Sequence, residues 1–292
     1  MPLKQRHAVI EQSSHEEPSL SVRHLCQSLQ VNRAWWYVCQ KRPQRSEEEI
    51  ALRDAIEHIV LDYPGYGYRR VTHALTRDGW SVNHKHVLRV MQEESLLCQL
   101  KRHFVTTTDS HHGYGVYSNL VKTLCIEEPN RVWVADITYI RLQRCFVYLA
   151  SLLDSFSRVC VGWSLSPCID TRLTLDALER ALVQRQVQPN WIHHSDRGVQ
   201  YASAPYIQCL LQAGARVSMA AKGNPYKNAQ AESFFKTFKR EEVYLKAYVG
   251  FEDAQANLQT FIEDVYNAKR LHSSLGYVPP LEFEAAWQRH RT

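Results

Sequence analysis

A carboxylate inside an apolar strand is costly unless a cation meets it, and residues 131–142, RVWVADITYIRL, put Asp136 in that position. The run is rich in Val, Ile, Thr, Trp and Tyr, the side chains that suit a pleated, half-buried surface. Two more strands are expected, Cys145 to Leu153 and Arg158 to Leu165, joined by Asp154-Ser155-Phe156-Ser157. Thr171 to Gln186 then reads as a helix, and Trp191 to Asp196, WIHHSD, as a fourth short strand ending in an acid. A helix over Ala204 to Gln212, a strand over Ala215 to Ala220 and a helix over Asn228 to Val243 complete the series.

The order βββαβαβα is that of a ribonuclease-H-like α/β fold, a mixed five-stranded sheet flanked by helices. In that topology the first and fourth strands are neighbours and the last helix crosses above them. Asp136 is then mid-strand, Asp196 ends the fourth strand, and Glu232 lies one turn into the last helix. Three carboxylates meeting there can hold two Mg²⁺, a hard ion that takes oxygen ligands. Two such ions about 3.5–4 Å apart suit phosphoryl transfer. Taken singly, each acid is more simply a salt-bridged surface group. Asp154 reads as a turn-capping residue rather than a fourth ligand. His193 and His194 point to opposite faces of their strand, so one is expected to support Asp196 and the other to pack. Phe234, Phe235 and Phe238 are the core side of the last helix.

Ahead of this region the texture is helical. Val22, Leu25, Cys26 and Leu29 recur at helical spacing, and after a short break Asn32 can cap a helix from Arg33 to Gln40. That pair suggests a helix-turn-helix, with Arg33 beside Trp35, Trp36 and Tyr37; a plain helical hairpin with aromatic core residues fits as well. Glu47 to Leu61, Tyr68 to Arg77 and His84 to Glu94 are further helices. The middle one turns Val71, Ala74 and Leu75 inward, the last Val87, Leu88 and Met91. Lys85 and Arg89 stand one turn apart on the outer side, suited to phosphate or base-edge contact, or simply solvated. His111-His112 belongs to a polar loop. The expected domains are 1–45, a first helix-turn-helix region; 46–122, a second with its linker; and 123–292, the catalytic core with a helical extension.

Composition narrows the classes. With 45% apolar and 22% charged residues the chain can bury a sizeable core. The longest apolar run, CFVYLASLL, is nine residues against the roughly 20 needed to cross a bilayer. The polar start shows no secretory apolar stretch, and the eight Cys include no C-x-x-C pair. Reduced thiols in the cytoplasm, with no membrane, are expected. A net charge of +5 is a weak pointer to nucleic acid.

Five strings then carry a family resemblance: WVADITYI (133–140), DSFSRVCVGW (154–163), HHSDRGVQY (193–201), GNPYKNAQAESFFKTFKREEVY (223–244) and YNAKRLHSSLGYVPPLEFE (266–284). With VNRAWWYVCQKRP and YGYRRVTHALTRDGWSVNHKHVLRVM ahead of them, the sequence resembles insertion-sequence transposases of the DDE/retroviral-integrase superfamily, most closely the second-reading-frame proteins of the IS-three family. Thirty-five residues separate Asp196 from Glu232. The resemblance implies that Asp136, Asp196 and Glu232 are both catalytic and metal-binding, with two Mg²⁺ per site (Mn²⁺ as substitute). It implies cleavage at element ends followed by attack of the freed 3′-OH on a second phosphodiester, through a joined-end circle and with no covalent protein–DNA intermediate. Lys236 and Lys239 follow the glutamate by four and seven residues and are expected to hold the DNA, Lys236 above all, since Lys239 can pair with Glu242. Arg33, Lys85 and Arg89 are the other expected DNA contacts. Lys227 stands where many members carry an acid, and its amine cannot ligate metal. The N-terminal His/Cys zinc module of retroviral integrases is missing, and His272 is open between structure and DNA. The implied partners are double-stranded DNA (terminal repeats and target), further copies of the chain on that DNA, and an upstream-frame fusion partner. Two other classes remain open at this point: a ribonuclease-H-type or repair nuclease, separable by comparing an RNA–DNA hybrid with element-end DNA, and a DNA-binding regulator without chemistry, separable by an end-cleavage assay.

Overall fold

The computed structural model describes residues 3–17, 20–40, 47–98, 117–143, 145–220 and 229–290. His111, His112 and Lys227 lie outside the described residues. The chain divides into two compact units, Met1–Ala55 and Ile56–Thr292. The division falls within helix α4, Glu47–Asp62, so the helices after it belong to the same unit as the sheet.

In the first unit, α1 (Leu3–Glu16), α2 (Val22–Ser28) and α3 (Arg33–Gln40) surround a small core of Ile10, Cys26, Val31 and Trp36. Ser21 caps α2 by accepting from the His24 N–H, and Asn32 Oδ1 accepts from the Trp35 N–H at 3.2 Å. Both side chains satisfy backbone donors that a helix start leaves open. Trp36 is buried, Trp35 half-buried, and Arg33 and Tyr37 are exposed. The aromatic cluster therefore serves partly as core.

After the end of α4 the second unit continues with α5 (Tyr68–Arg77) and α6 (His84–Glu93), the latter capped by Asn83. Val71 and Leu75 are fully buried, as are Val87, Val90 and Met91; Ala74 and Leu88 are only half-buried. The inward stripe of α6 thus runs through Val90 rather than Leu88, at i, i+3 and i+4 from Val87. Lys85 and Arg89 are exposed, Arg89 with Glu93 at 3.9 Å.

Strands β1 (Val132–Arg141), β2 (Phe146–Asp154), β3 (Cys160–Ser166), β4 (Ile192–Ser195) and β5 (Arg216–Met219) form one sheet in the order β3-β2-β1-β4-β5. The β1–β2 and β2–β3 pairs are antiparallel, and β1–β4 and β4–β5 are parallel. Strand alternation sorts the two faces. Trp133, Ala135 and Ile137 face the core shared with α7 (Thr171–Gln184), α8 (Val199–Ala202) and α9 (Ala204–Gln212). Val132, Val134 and Ile140 face the core shared with α10 (Ala229–Phe238) and α11 (Phe251–Thr260). Asp136 has the parity of the second group, so its carboxylate emerges on the α10 side. Helix α12, Pro280–Arg289, follows near the C-terminus.

One glycine is needed for sheet–helix contact. A Cβ on Gly162 of β3 would stand 2.4 Å from the Ala177 carbonyl oxygen and 2.7 Å from Ala181 Cβ, both on α7. Gly162→Ala should therefore cost about 1–3 kcal/mol by overpacking, read as a lower midpoint in urea. An unchanged midpoint would mean that α7 can shift away freely.

Candidate active site

Asp136 sits in mid β1, next to parallel β4, and Asp196 follows the last residue of β4. Glu232 lies in the first turn of α10, exposed. Local bonds fix the two aspartates. Asp136 Oδ1 accepts from the Ile137 N–H at 2.8 Å, and Asp196 Oδ1 from the Gly198 N–H at 2.9 Å. A Cβ on Gly198 would meet Asp196 Oδ1 at 3.0 Å, so glycine lets the chain turn closely around that carboxylate. The Arg197 Nε donates to the Ala220 carbonyl at 2.9 Å, tying this turn to the end of β5.

The acids feel one another. The Asp136 carboxyl is pushed up to about 8, first by burial and then by the charge of Asp196, with Glu232 adding to it; the Ile137 N–H and the Lys239 ammonium act the other way. Burial also raises Glu232. Among the described residues no three His, Cys, Asp or Glu side chains form a ready-made metal shell. The donor chemistry nevertheless fits a hard divalent cation: three carboxylate groups, hard oxygen donors, share one field that disfavours their joint ionisation.

Asp154 is not part of this cluster. It is fully buried, and its Oδ1 accepts from the Phe156 N–H (3.0 Å), the Ser157 N–H (2.7 Å) and the Ser157 hydroxyl (2.9 Å), while Oδ2 accepts from the Asn130 N–H (2.6 Å). It organises the β2–β3 turn, as its position in sequence suggests. His193 bonds through Nε2 to the Tyr206 hydroxyl at 2.9 Å, and burial depresses it to about 3, so it is a neutral core group. His194 Nδ1 lies 2.9 Å from Ser218 Oγ, which accepts from the Leu120 N–H. Phe234, Phe235 and Phe238 are buried in the core.

The lysines differ from the order that spacing alone suggests. Lys236 is exposed. Lys239 lies 4.4 Å from the Tyr139 ring centroid; burial lowers its pKa and the Asp136 charge raises it. The expected Lys239–Glu242 pair is not the arrangement found, because Glu242 is bonded by Lys246 at 3.1 Å and by the Tyr248 hydroxyl at 3.1 Å. The reason is a π-helical turn, Lys239–Val243, that follows α10 and alters the side-chain spacing.

Sequence reasoning did not single out Tyr201. It belongs to α8, five residues after Asp196, and its hydroxyl is buried with no hydrogen-bond partner. Burial pushes its ionisation well above the ordinary range, and Tyr206, Asp136 and Asp196 push the same way. A Tyr in HHSDRGVQY gives no sequence signal that its hydroxyl would be buried within the field of Asp136 and Asp196.

Comparison with known proteins agrees with this architecture. The integrase core domain family matches residues 126–225, a second integrase core domain family residues 213–280, and an HTH-like domain family residues 46–104. Transposase InsF for insertion sequence IS3A of Escherichia coli (strain K12) is 35% identical over 275 residues, covering 92% of this chain and 95% of that protein. The 31 kDa protein of insertion element IS600 from Shigella sonnei is 34% identical over 270 residues, 91% of this chain and 99% of that protein. Among solved structures, the HTLV-2 integrase catalytic core domain in complex with magnesium is 14% identical, with a TM-score of 0.41 over 54% of this chain and 97% of that one. With a mixed five-stranded sheet, matching integrase core and HTH-like domains, and this identity along nearly its whole length, the chain belongs to the IS3-family InsF-type insertion-sequence transposases.

Proposed function

We propose that this transposase cuts and joins the ends of its element with Asp136, Asp196 and Glu232 holding two Mg²⁺ ions. The observation that carries this reading is the placing of Asp136 in β1, Asp196 at the end of the adjacent parallel β4 and Glu232 in the first turn of α10, with the Asp136 carboxyl raised first by burial and then by Asp196 and Glu232. When bound, Mg²⁺ supplies Lewis-acid activation of the attacking oxygen and stabilisation of the leaving one. The chain's own residues do the rest. Asp136 and Asp196 are held by the adjacent backbone N–H groups, and Glu232 approaches from the exposed start of α10. Lys239 brings an ammonium to the edge of the acid cluster, where it suits a DNA phosphate. None of the acids acts as a nucleophile, so no protein–DNA ester forms. The reading places the protein in the bacterial cytoplasm, on DNA, in more than one copy; no helix among the described residues is long and apolar enough to cross a membrane. An upstream-frame fusion partner is compatible with it.

Metal binding tests the acid cluster. A carboxyl whose folded pKa is raised binds its proton more tightly folded than unfolded, so in the metal-free chain it costs stability as pH climbs from the ordinary carboxylate range toward about 8. A metal ion must displace that proton. Calorimetric titration with Mg²⁺ or Mn²⁺ at pH 7, in two buffers of different ionisation enthalpy, should show release of about one proton per chain. Affinity should rise with pH up to about 8 and level off above it. Asp136→Asn should abolish the release. Binding without proton release in the native chain would contradict the shared-carboxylate site.

DNA contact is proposed for Lys85 and Arg89 on the exposed face of α6, for Arg33 on α3, and for Lys236 and Lys239. Helix α5 and the turn before it bond to the C-terminal segment within the same unit: the Tyr66 hydroxyl accepts from the Leu271 N–H at 2.7 Å, and Arg77 pairs with Glu282 at 2.7 Å. An isolated N-terminal fragment would lose those bonds, so the full chain is the right material. Lys85→Gln and Arg89→Gln should each lower the salt slope of duplex binding by about one unit if they meet phosphate. Unchanged slopes in both would remove α6 from the interface.

A further inference from the structure

Three arginines of the Ile56–Thr292 unit converge where the catalytic reading makes no use of them. Arg270 is buried and engages Glu241 with both arms of its fork, Nε to Oε2 at 2.6 Å and Nη2 to Oε1 at 2.7 Å, and its Nη1 lies 3.4 Å from His272 Nε2. Arg70 arrives from α5. Tyr66, whose hydroxyl accepts from the Leu271 N–H, carries the Arg70 guanidinium 5.7 Å from its ring centroid. Arg158 arrives from the β2–β3 turn. Two residues on, the Cys160 N–H donates to Asn267 Oδ1 at 2.9 Å and Asn267 Nδ2 donates to the Cys160 carbonyl at 3.0 Å, clamping this turn to the segment of Tyr266, Arg270 and His272. Tyr266 packs edge-on against His272 at 4.8 Å.

The charges do not balance. Glu241 gives both oxygens to Arg270. The Nε groups of Arg70 and Arg158 are buried with no hydrogen-bond partner; Glu241 acts on Arg70 and Asp154 on Arg158 only through their fields, the Asp154 oxygens being taken by donors of its own turn. His272 offers no relief. Burial first, and then Arg270, Arg70 and Arg158, hold it down to about 3, so its ring stays neutral. Arg158 also sits at φ +66°, a left-handed conformation uncommon for a residue with a side chain and one that persists only where the surroundings enforce it. Unmatched guanidinium forks in a half-buried recess are suited to a planar or tetrahedral oxyanion, which they bind through paired N–H donors.

We propose that Arg70 and Arg158, backed by the Arg270–Glu241 pair, form an oxyanion site that takes one backbone phosphate of the bound DNA. Because Arg70 comes from the HTH-like domain and Arg158 and Arg270 from the integrase core, a phosphate here would fix the register of DNA against both. Assigning the oxyanion to DNA rests on the transposase reading; the recess itself does not.

The full-length chain with duplex DNA carrying the element's terminal repeat gives the test. Arg70→Gln with Arg158→Gln removes one phosphate contact and should lower the salt slope of binding by about one unit. Affinity near physiological salt should fall at least tenfold, with Mg²⁺ affinity unchanged. Arg70→Lys with Arg158→Lys keeps both charges and should hold the native slope while losing affinity with the forks. Independently of any variant, low-millimolar inorganic phosphate exchanged for chloride at equal ionic strength should raise the melting temperature of the DNA-free native chain. A folded Gln pair with the native slope, or a native chain indifferent to phosphate, overturns the site. Mg²⁺-dependent end cleavage by the native chain reports on the transposase reading separately, so the two can fail apart.

Discussion

Asp136→Asn, Asp196→Asn and Glu232→Gln should each abolish end cleavage and strand transfer, by on the order of a thousandfold or more. Lewis-acid stabilisation of the reacting oxygens is worth several kcal/mol, and each 1.36 kcal/mol is tenfold in rate. The three changes keep side-chain shape and remove a charge, so folding and duplex binding should persist. Asp136→Asn should even stabilise the metal-free chain near pH 8, because it removes the carboxyl that burial and Asp196 force to about 8. Asp154→Asn provides the contrast. Its two oxygens accept four hydrogen bonds from the turn, so an amide group would face a donor and cost about 1–3 kcal/mol of stability. Rates per folded molecule should change little. A trio variant with near-native Mg²⁺-dependent cleavage would show that the acids are misassigned.

Glu241→Gln should be the most damaging change to stability outside the apolar core. It removes the carboxylate bonded to Arg270 and felt by Arg70, leaving the field of Asp154 on Arg158 as the acid still acting on the three. Breaking a buried pair in this way costs about 3–5 kcal/mol. For a unit of this size that corresponds to a fall of roughly 6–20 °C in melting temperature. Arg270→Met should cost less, since Glu241 retains Arg70 as a nearby cation. Thermal unfolding of both variants checks the order. A milder Glu241→Gln would mean that solvent or another acid already neutralises the cluster.

Period-two and period-3.6 patterns make the sheet and its flanking helices legible in the chain's own residues. Helices Arg33–Gln40, Tyr68–Arg77 and Ala204–Gln212 are found over the residues their spacing predicts. Asp136 betrays itself because a charge inside an apolar strand needs a reason, and Asp154 because a turn offers it donors. Other features leave no local trace. Helix α1 contributes the buried Ile10 but little apolar periodicity, since Val9 is exposed. The π-helical turn Lys239–Val243 alters the spacing around Glu242, which is bonded by Lys246 and Tyr248, and spacing rules that assume 3.6 residues per turn miss it. Arg270–Glu241 and Tyr66–Leu271 join residues 29 and 205 apart in sequence, so only the packed chain brings them together.

Metal-dependent phosphoryl transfer by three carboxylates, without a covalent enzyme intermediate, is the claim on which the rest depends. The most direct measurement incubates the full-length chain with end-labelled duplex carrying the element's terminal repeat, with Mg²⁺ or with chelator, beside an RNA–DNA hybrid of the same sequence. The expected result is Mg²⁺-dependent nicking at the element boundary that leaves a free 3′-OH, no label retained on denatured protein, and no comparable cutting of the hybrid. Chelator-resistant cleavage, a protein–DNA adduct that survives denaturation, or preference for the hybrid would contradict it.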